Sequence, residues 1–414
     1  MSQERPALRL GQPIWLRSLS KPKPTYPSLT GHRQKDVAIV GGGITGALIA
    51  HAFTTAGISV AVVEGDLVAR GSTAASSALL LQEPDQGLLQ LAERYGTHAA
   101  RRIWQLSHEA VRDLVGLLRR LHIQCGLTKR DVIYYATQAD GVERLRREFL
   151  VRKKAGFQPE WLTPGPLRRM TGIPGRGAIH SRGSAQFNPY RACLGVLRAA
   201  VMAGTEIFER SFVTRIDAGR DRVRIHTRNA RIDARRVVIA TGYATPHFRP
   251  LAGRFRMYRT YVLATQPLNA SQRHELGLSD IMIWDTKRPY HYARWTEDHR
   301  LLLGGADRPV RVGQHRRAQF RRATRELQED FESLLPGLAT VDIPDAWEGL
   351  FAITPDSLPY IGSHRRYPGH WFALGYGGNG MTFGFLAARL LVEQWHGIHS
   401  PDHGLFGFQR TASR

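Results

Sequence analysis

The sequence is poor in cysteine. Its 414 residues hold two, Cys125 and Cys193, too few for a disulfide framework, so a reduced, cytoplasmic setting is the expectation. It also has no apolar run of the roughly eighteen residues that a membrane-spanning helix needs. Residues 1–16 are polar and broken by prolines, unlike the apolar heart of a secretory signal. No nucleophile elbow, phosphate-binding Walker loop or His-Glu-x-x-His metal motif occurs, which argues against the hydrolases and metalloproteases built on them. Internal repeats and low-complexity tracts are absent too. Acidic residues are the minority, 35 against 58 basic ones, for a net charge of +23. The excess is carried almost wholly by scattered arginine, in doublets such as Arg119-Arg120 and Arg235-Arg236. No basic block with interleaved aromatics exists, so a basic surface is expected and nucleic acid is not the expected partner.

What is present begins with 42% apolar residues, enough for a large core in a chain long enough for two lobes. Residues 1–35 read as an extended leader. From Asp36 to Val40 a short apolar run reads as a buried parallel strand. A Gly-rich turn follows, then a helix over 44–56 stopped by Gly57, then a second buried strand over 59–63. That is a βαβ unit of about thirty residues. The turn is G-x-G-x-x-G, with Gly41 allowing the tight bend, Gly43 letting a pyrophosphate approach the backbone and Gly46 permitting close helix–strand packing. Ile44 and Thr45 open the helix, whose free N–H groups favour phosphate. Glu64 closes the second strand, where its carboxylate can accept hydrogen bonds from a ribose. Strand, glycines, helix, strand and acid in this order predict a bound dinucleotide.

Beyond this unit, residues 87–121 carry a helical stripe of packing residues, Ile103, Leu106, Ala110, Leu114, Leu117 and Leu121. Strand patterns follow at 131–136, 206–216, 223–227, 236–240, 257–266, 290–305 and 370–374. Helices are expected over 189–203, 314–335 and 381–395.

Several further segments name the dinucleotide. They are Gly71-Ser72-Thr73-Ala74-Ala75-Ser76-Ser77, Ile239-Ala240-Thr241-Gly242, Trp347-Glu348-Gly349, Thr354-Pro355-Asp356-Ser357-Leu358-Pro359-Tyr360-Ile361-Gly362 and Gly375-Tyr376-Gly377-Gly378-Asn379-Gly380-Met381-Thr382. In this order, over residues 36 to about 396, the chain resembles the D-amino-acid-oxidase-like family of FAD-dependent oxidoreductases. It is most similar to the branch with glycine, sarcosine and γ-glutamylputrescine oxidases. The resemblance implies an α/β fold: an FAD-binding Rossmann-like βαβ domain with an interleaved substrate domain on a mixed or antiparallel sheet. The FAD domain would comprise 36–85, 186–250 and 345–400, the substrate domain 86–185 and 251–344, and 401–414 a tail. FAD contacts are expected at Gly41, Gly43, Ile44, Thr45, Gly46, Glu64, Gly71, Ser72, Thr73, Ser76, Val213, Thr241, Gly242, Gly375, Gly378, Asn379, Gly380, Met381 and Thr382. Gly375, Gly377 and Gly380 also spell G-x-G-x-x-G, but no second strand and acid follow, so a separate nicotinamide site is not expected. The helix mouth after this turn would instead face the flavin ring and stabilise negative charge on its N1–C2 edge. Relatives with covalent flavin attach it through a cysteine before the Thr-Pro-Asp segment or a histidine after the Gly-Ser-Thr run. Neither stands here, so FAD is expected to be non-covalent.

The resemblance implies hydride transfer from carbon to flavin at a C–N bond of a small amine or amino acid, with oxygen or an electron carrier as acceptor. If the segment Arg288-Pro289-Tyr290-His291-Tyr292-Ala293-Arg294 is a strand, Tyr290, Tyr292 and Arg294 share one face. Two phenols and a guanidinium could there bind a substrate carboxylate. The plainer alternative makes the tyrosines sheet packing and Arg294 a surface residue. His291 falls on the other face, and Arg259 and Tyr261 are weaker candidates of the same kind. His396, His399 and His403 read as a polar tail, and no metal is expected. Two rival functions remain: a flavin enzyme acting on aminomethyl-modified RNA, with the positive charge as a phosphate footprint, and a non-catalytic electron-transfer flavoprotein subunit.

Overall fold

The computed structural model describes residues 10–17, 26–219, 221–311 and 315–411. Val37, Ala38 and Ile39 are fully buried, as the middle of a strand covered on both faces must be. The strand Gly31–Val40 lies at the centre of a sheet ordered Tyr360–His364, Tyr367–Leu374, Ala230–Gly242, Gly31–Val40, Val60–Val63, Glu206–Phe208. From Tyr367–Leu374 inward the neighbours run parallel, with Val37 opposite both Val60 and Arg236. Tyr360–His364 closes one edge antiparallel, and the hairpin Arg215–Ala218/Val223–His226 pairs with the first half of Ala230–Gly242. Helices Ile44–Thr55, Pro189–Met202 and Gly380–Trp395 pack together against this sheet.

A second sheet runs Asp345–Ile353, Arg256–Ala264, Leu301–Pro309, Tyr292–Trp295, Met282–Asp285, Thr128–Tyr135, Ala178–Gln186, Leu79–Leu80, with Glu160–Leu162 beside Ala178–Gln186. Its neighbours are antiparallel except Met282–Asp285 with Thr128–Tyr135. The fold is therefore α/β with two mixed sheets, as expected. The helix Arg316–Leu334 covers part of the second sheet through Ala323, Leu327 and Phe331. The expected helix over 87–121 is two, Leu88–Tyr95 and Thr97–Arg120, broken at Gly96, whose φ of 81° leaves the helical region.

Four features differ from the sequence reading. The first strand starts at Gly31, five residues ahead of Asp36, because Gly31 to Lys35 pair in register with Ala230 to Ala234. Residues 10–17 are packed, not loose: Ile14 and Trp15 are buried, and the Trp15 indole donates to the Ser76 carbonyl at 2.9 Å. The rest of the expected leader up to residue 25 lies outside the described residues. The strand Asp345–Ile353 sits in the second sheet, although 345–400 reads as part of the FAD domain. The expected tail also folds, up to Thr411. Ser400 caps the short helix Pro401–Phe406, Phe406 and Phe408 are buried, and Arg410 holds Asp356 at 2.8 Å.

Candidate active site

The Gly-rich turn joins the central strand to the first helix. Gly41 has φ +113°, and a Cβ there would stand 2.7 Å from the Ala240 carbonyl oxygen. A Cβ on Gly46 would fall 1.9 Å from the Gly41 carbonyl oxygen, so these two positions exclude any side chain. Gly43 precedes the helix, and the Ile44 N–H is taken by the Thr73 hydroxyl at 3.0 Å. Glu64 accepts from the Gly42 N–H at 2.8 Å and the Asp66 N–H at 2.9 Å. Burial pushes its carboxyl up from the usual carboxylate range.

These groups form one end of a cavity of about 1320 Å³ that runs from the strand ends at Val40, Val63 and Ala240 of the first sheet to Thr260, Trp284 and Leu350 within strands of the second. It is larger than the roughly 300–1,000 Å³ of ordinary small-ligand sites, which suits an extended dinucleotide with a substrate beside it. All the cofactor residues expected from sequence line it except Gly46 and Gly375. Gly46 lies under the turn, and Gly375 donates its N–H to the Gly242 carbonyl at 2.9 Å, tying two strands together.

Toward the other end, the mouth of helix Gly380–Trp395 lines the cavity through Gly380, Met381 and Thr382. The first-turn N–H groups of a helix lack intrahelical acceptors, so this mouth can face a ring edge that gains negative charge. It is stitched to residues 81–85. Asn379 accepts from the Asp85 N–H at 2.8 Å and donates to the Glu83 carbonyl at 3.0 Å, and Thr382 donates to the Leu81 carbonyl at 3.1 Å. The Gly378 N–H donates to the Asp85 carboxylate at 2.6 Å.

The same cavity is walled by Trp284, Tyr290, Tyr292, Thr260 and Asp307. Trp284 stacks on Tyr134 with ring centres 3.7 Å apart and meets Tyr290 edge-on at 6.0 Å. Tyr292 stands opposite Gly304 in the ladder, and a Cβ on that glycine would fall 2.0 Å from the phenol ring. Burial pushes the Tyr292 phenol up to about 12 and that of Tyr290 well above its ordinary value, so both remain donors. Burial raises the Asp85 carboxyl to about 6 and that of Asp307 to about 7, with Asp85 adding to the rise at Asp307.

Arg294, expected to share a face with the tyrosines, does not line the cavity. It is 2% exposed, and its guanidinium donates to the carbonyls of Ser77 at 2.5 Å, Trp295 at 3.1 Å and Phe187 at 3.0 Å, with Trp15 over its plane. A buried cation without a carboxylate needs such acceptors, and they leave it no reach to a substrate. Burial lowers it to about 9. His291, on the other face as expected, bridges Asp285 at 2.8 Å and Asp330 at 3.1 Å. Arg259 lies 3.4 Å from Glu348, and Tyr261 is fully buried. Among the described residues no cluster could hold a metal ion, and no helix is long and apolar enough to cross a membrane.

Sequence reasoning missed Asp85, Asp307, Trp284 and Thr260. One signal was available for Asp307: within the strand Leu301–Pro309 it directly follows the uncharged run Leu301-Leu302-Leu303-Gly304-Gly305-Ala306.

A side-chain-free glycine turn under one helix, an acid at the next strand end and a second helix mouth across the cavity fit FAD, so the fold and site define a flavin-dependent oxidoreductase. The model of the DAO family, FAD dependent oxidoreductases, matches residues 36–394, and the chain belongs to that family. It is 25% identical over 380 residues to the probable oxidoreductase OrdL of Haemophilus influenzae, covering 89% of this chain and 84% of that one. It is 26% identical over 367 residues to the gamma-glutamylputrescine oxidoreductase of Escherichia coli, covering 87% and 84%. Glycine oxidase from Geobacillus kaustophilus has the same fold, with a TM-score of 0.73 over 89% of this chain and 96% of that one at 22% identity.

Proposed function

We propose that the protein oxidises the C–N bond of a small amine or amino acid to an imine, which water then hydrolyses. The observation that carries this reading is one continuous cavity holding both the dinucleotide turn and, beside the second helix mouth, a pocket of three aromatic side chains and two carboxyls. The relatives include a glycine oxidase and a gamma-glutamylputrescine oxidoreductase, which supports it. Bound FAD supplies the acceptor for a hydride, two electrons and a proton, leaving the carbon next to nitrogen.

The chain's own residues do the rest. Trp284, Tyr290 and Tyr292 wall the reacting carbon and keep water out while the phenols orient the nitrogen. An ammonium cannot form C=N until it loses a proton, and Asp85 and Asp307, poised near neutrality, can take it. The neutral nitrogen's lone pair then forms the C=N bond as hydride departs. The helix mouth at Gly380 to Thr382 favours the negative charge that arrives on the ring edge. Water adds to the imine carbon, giving a carbonyl compound and free amine. The electrons pass on to oxygen or to a carrier protein.

The cofactor is held without a covalent bond. Acid precipitation is expected to leave the flavin in the supernatant; yellow colour fixed in the pellet refutes this. Anaerobic mixing of the yellow protein with a panel of amines and amino acids, read by flavin absorbance, tests the reaction. Bleaching by at least one is expected, and bleaching by none overturns the reading.

A further inference from the structure

We propose that the substrate is a dication, an amine with a second ammonium group and no carboxylate beside the oxidised carbon, held by Asp85 and Asp307 among Trp284, Tyr290 and Tyr292. This rests on the reading of the cavity as an amine-oxidising site.

The lining near the second helix mouth is all of one sign. Glu83, Asp85 and Asp307 line the cavity, and Arg70 is the only arginine or lysine among the described residues that does. Arg70 adjoins Gly71, in the strip expected to meet the dinucleotide. The guanidinium that could have clamped a substrate carboxylate, Arg294, is spent on three backbone carbonyls. The arginines whose charge reaches the two aspartates are engaged elsewhere. Arg308 pairs with Glu326, and exposed Arg288 lies over the Tyr290 ring and donates to the Lys287 carbonyl at 2.9 Å.

Buried oxygens also lack partners. The Oδ1 of Asp307 and the Oε2 of Glu83 have no hydrogen-bond donor among the described residues. Glu83 is 2% exposed, and its other oxygen is held by Arg152 and Ser181, both at 2.5 Å. A buried acceptor without a donor is costly, and a cationic N–H group removes that cost. The aromatic walls favour the same guest, because the faces of Trp and Tyr attract ammonium groups. A carboxylate would instead meet like charge on both aspartates. One ammonium pairs with one aspartate, and a second ammonium pairs with the other once both are ionised.

The test compares pentane diamine, pentylamine and aminopentanoate, which match in length and differ in charge, by anaerobic flavin reduction. A bis-quaternary pentane diammonium, which cannot be oxidised, and glutarate are read only as shifts of the flavin band. The diamine is expected to reach half-saturation at least about tenfold below pentylamine, with aminopentanoate weakest. The bis-quaternary salt should shift the band and glutarate should not, a readout on the unaltered holoprotein. Asp307→Asn and Asp85→Asn should each erase the diamine's advantage, read as the ratio of the diamine and pentylamine half-saturating concentrations, whatever either variant does to the rate of reduction. Equal or tighter binding of aminopentanoate or glutarate, as when Arg288 swings in to hold a carboxylate, overturns the proposal. So does a diamine advantage that survives both substitutions. If no amine reduces the flavin but the bis-quaternary salt binds, the oxidation reading fails and the dication site stands. If amines reduce the flavin with no preference for the second charge, this proposal alone fails.

Discussion

The two ends of the cavity are built in different ways. The dinucleotide end is backbone: a turn closed by two glycines, a helix mouth and an acid one strand further on, all within residues 41–64. The other end is made of side chains from separate places: Asp85 after a two-residue strand, Thr260, Trp284, Tyr290 and Tyr292 on or beside three strands, and Asp307 within a fourth. A backbone cradle tolerates no side chain but accepts many neighbours. A side-chain pocket can be retuned one residue at a time without disturbing the cradle. The family's shared cofactor and varied substrates are what this division would produce.

The comparison breaks most sharply at Gly46. Gly46→Val places a branched side chain where even a Cβ would stand 1.9 Å from the Gly41 carbonyl. The purified variant is expected to be colourless, with flavin retention down at least about a hundredfold, because strand and helix must separate to admit it. A variant that keeps its flavin-to-protein ratio would show that the turn is not the anchor.

This contrast also explains what could be read from the chain alone. Gly41, Gly43, Gly46 and Glu64 are brought together by spacing along one βαβ unit, so their placement is legible in the linear order. The turn at 375–382 was legible for the same reason. Arg294 was misread although its strand was expected: the alternation was right, but which carbonyls would surround the guanidinium depends on Ser77 and Phe187, far away in sequence. Asp85 and Asp307 are brought near each other only by the second sheet and the 81–85 segment. No local pattern joins them. Trp15 lay hidden in a stretch read as leader because its partner, Ser76, is a backbone carbonyl and leaves no sequence mark.

The next largest effect is on pH. Burial raises the carboxyls of Asp85 and Asp307 to about 6 and about 7, so they are neutral below those values and ionised above. Facing Asp85 are the Gly378 N–H, Tyr290, Arg288 and Asp307. Facing Asp307 are Thr260, Tyr290, Tyr292, His291, Arg308 and Asp85. A fixed cation binds the ionised forms, so the bis-quaternary salt should release protons on binding. Its affinity should weaken toward about tenfold per pH unit below pH 7, as Asp307 protonates, and more steeply below pH 6, as Asp85 follows. Its charge does not titrate, so the slope belongs to the protein. A flat profile between pH 5 and 8 would remove the aspartates from cation binding.

A smaller effect separates Arg294 from the pocket. Arg294→Lys keeps the charge but cannot reach three carbonyls in a planar fork. It should cost about 2–3 kcal/mol of stability, seen as a lower melting temperature, with the half-saturating amine concentration within about threefold of the parent. A large rise in that concentration at unchanged melting temperature would return Arg294 to the substrate site.

The smallest effect concerns what the side-chain end costs the fold. Asp307 has its carboxyl raised to about 7 in the folded protein, against roughly 4 when unfolded. Between those values the folded chain holds the proton and the unfolded chain does not. Stability therefore falls as pH rises from about 4 to about 7 and stays lower above that. Asp307→Asn removes the loss. Without substrate, its holoprotein should melt with the parent near pH 4 and about 1–3 °C higher at pH 8. Adding the bis-quaternary salt at pH 8 should reverse the order, since only the parent gains from the cation. A carboxyl placed for packing would show no such crossing, so the sign change on adding a cation is what separates a binding group from a structural one.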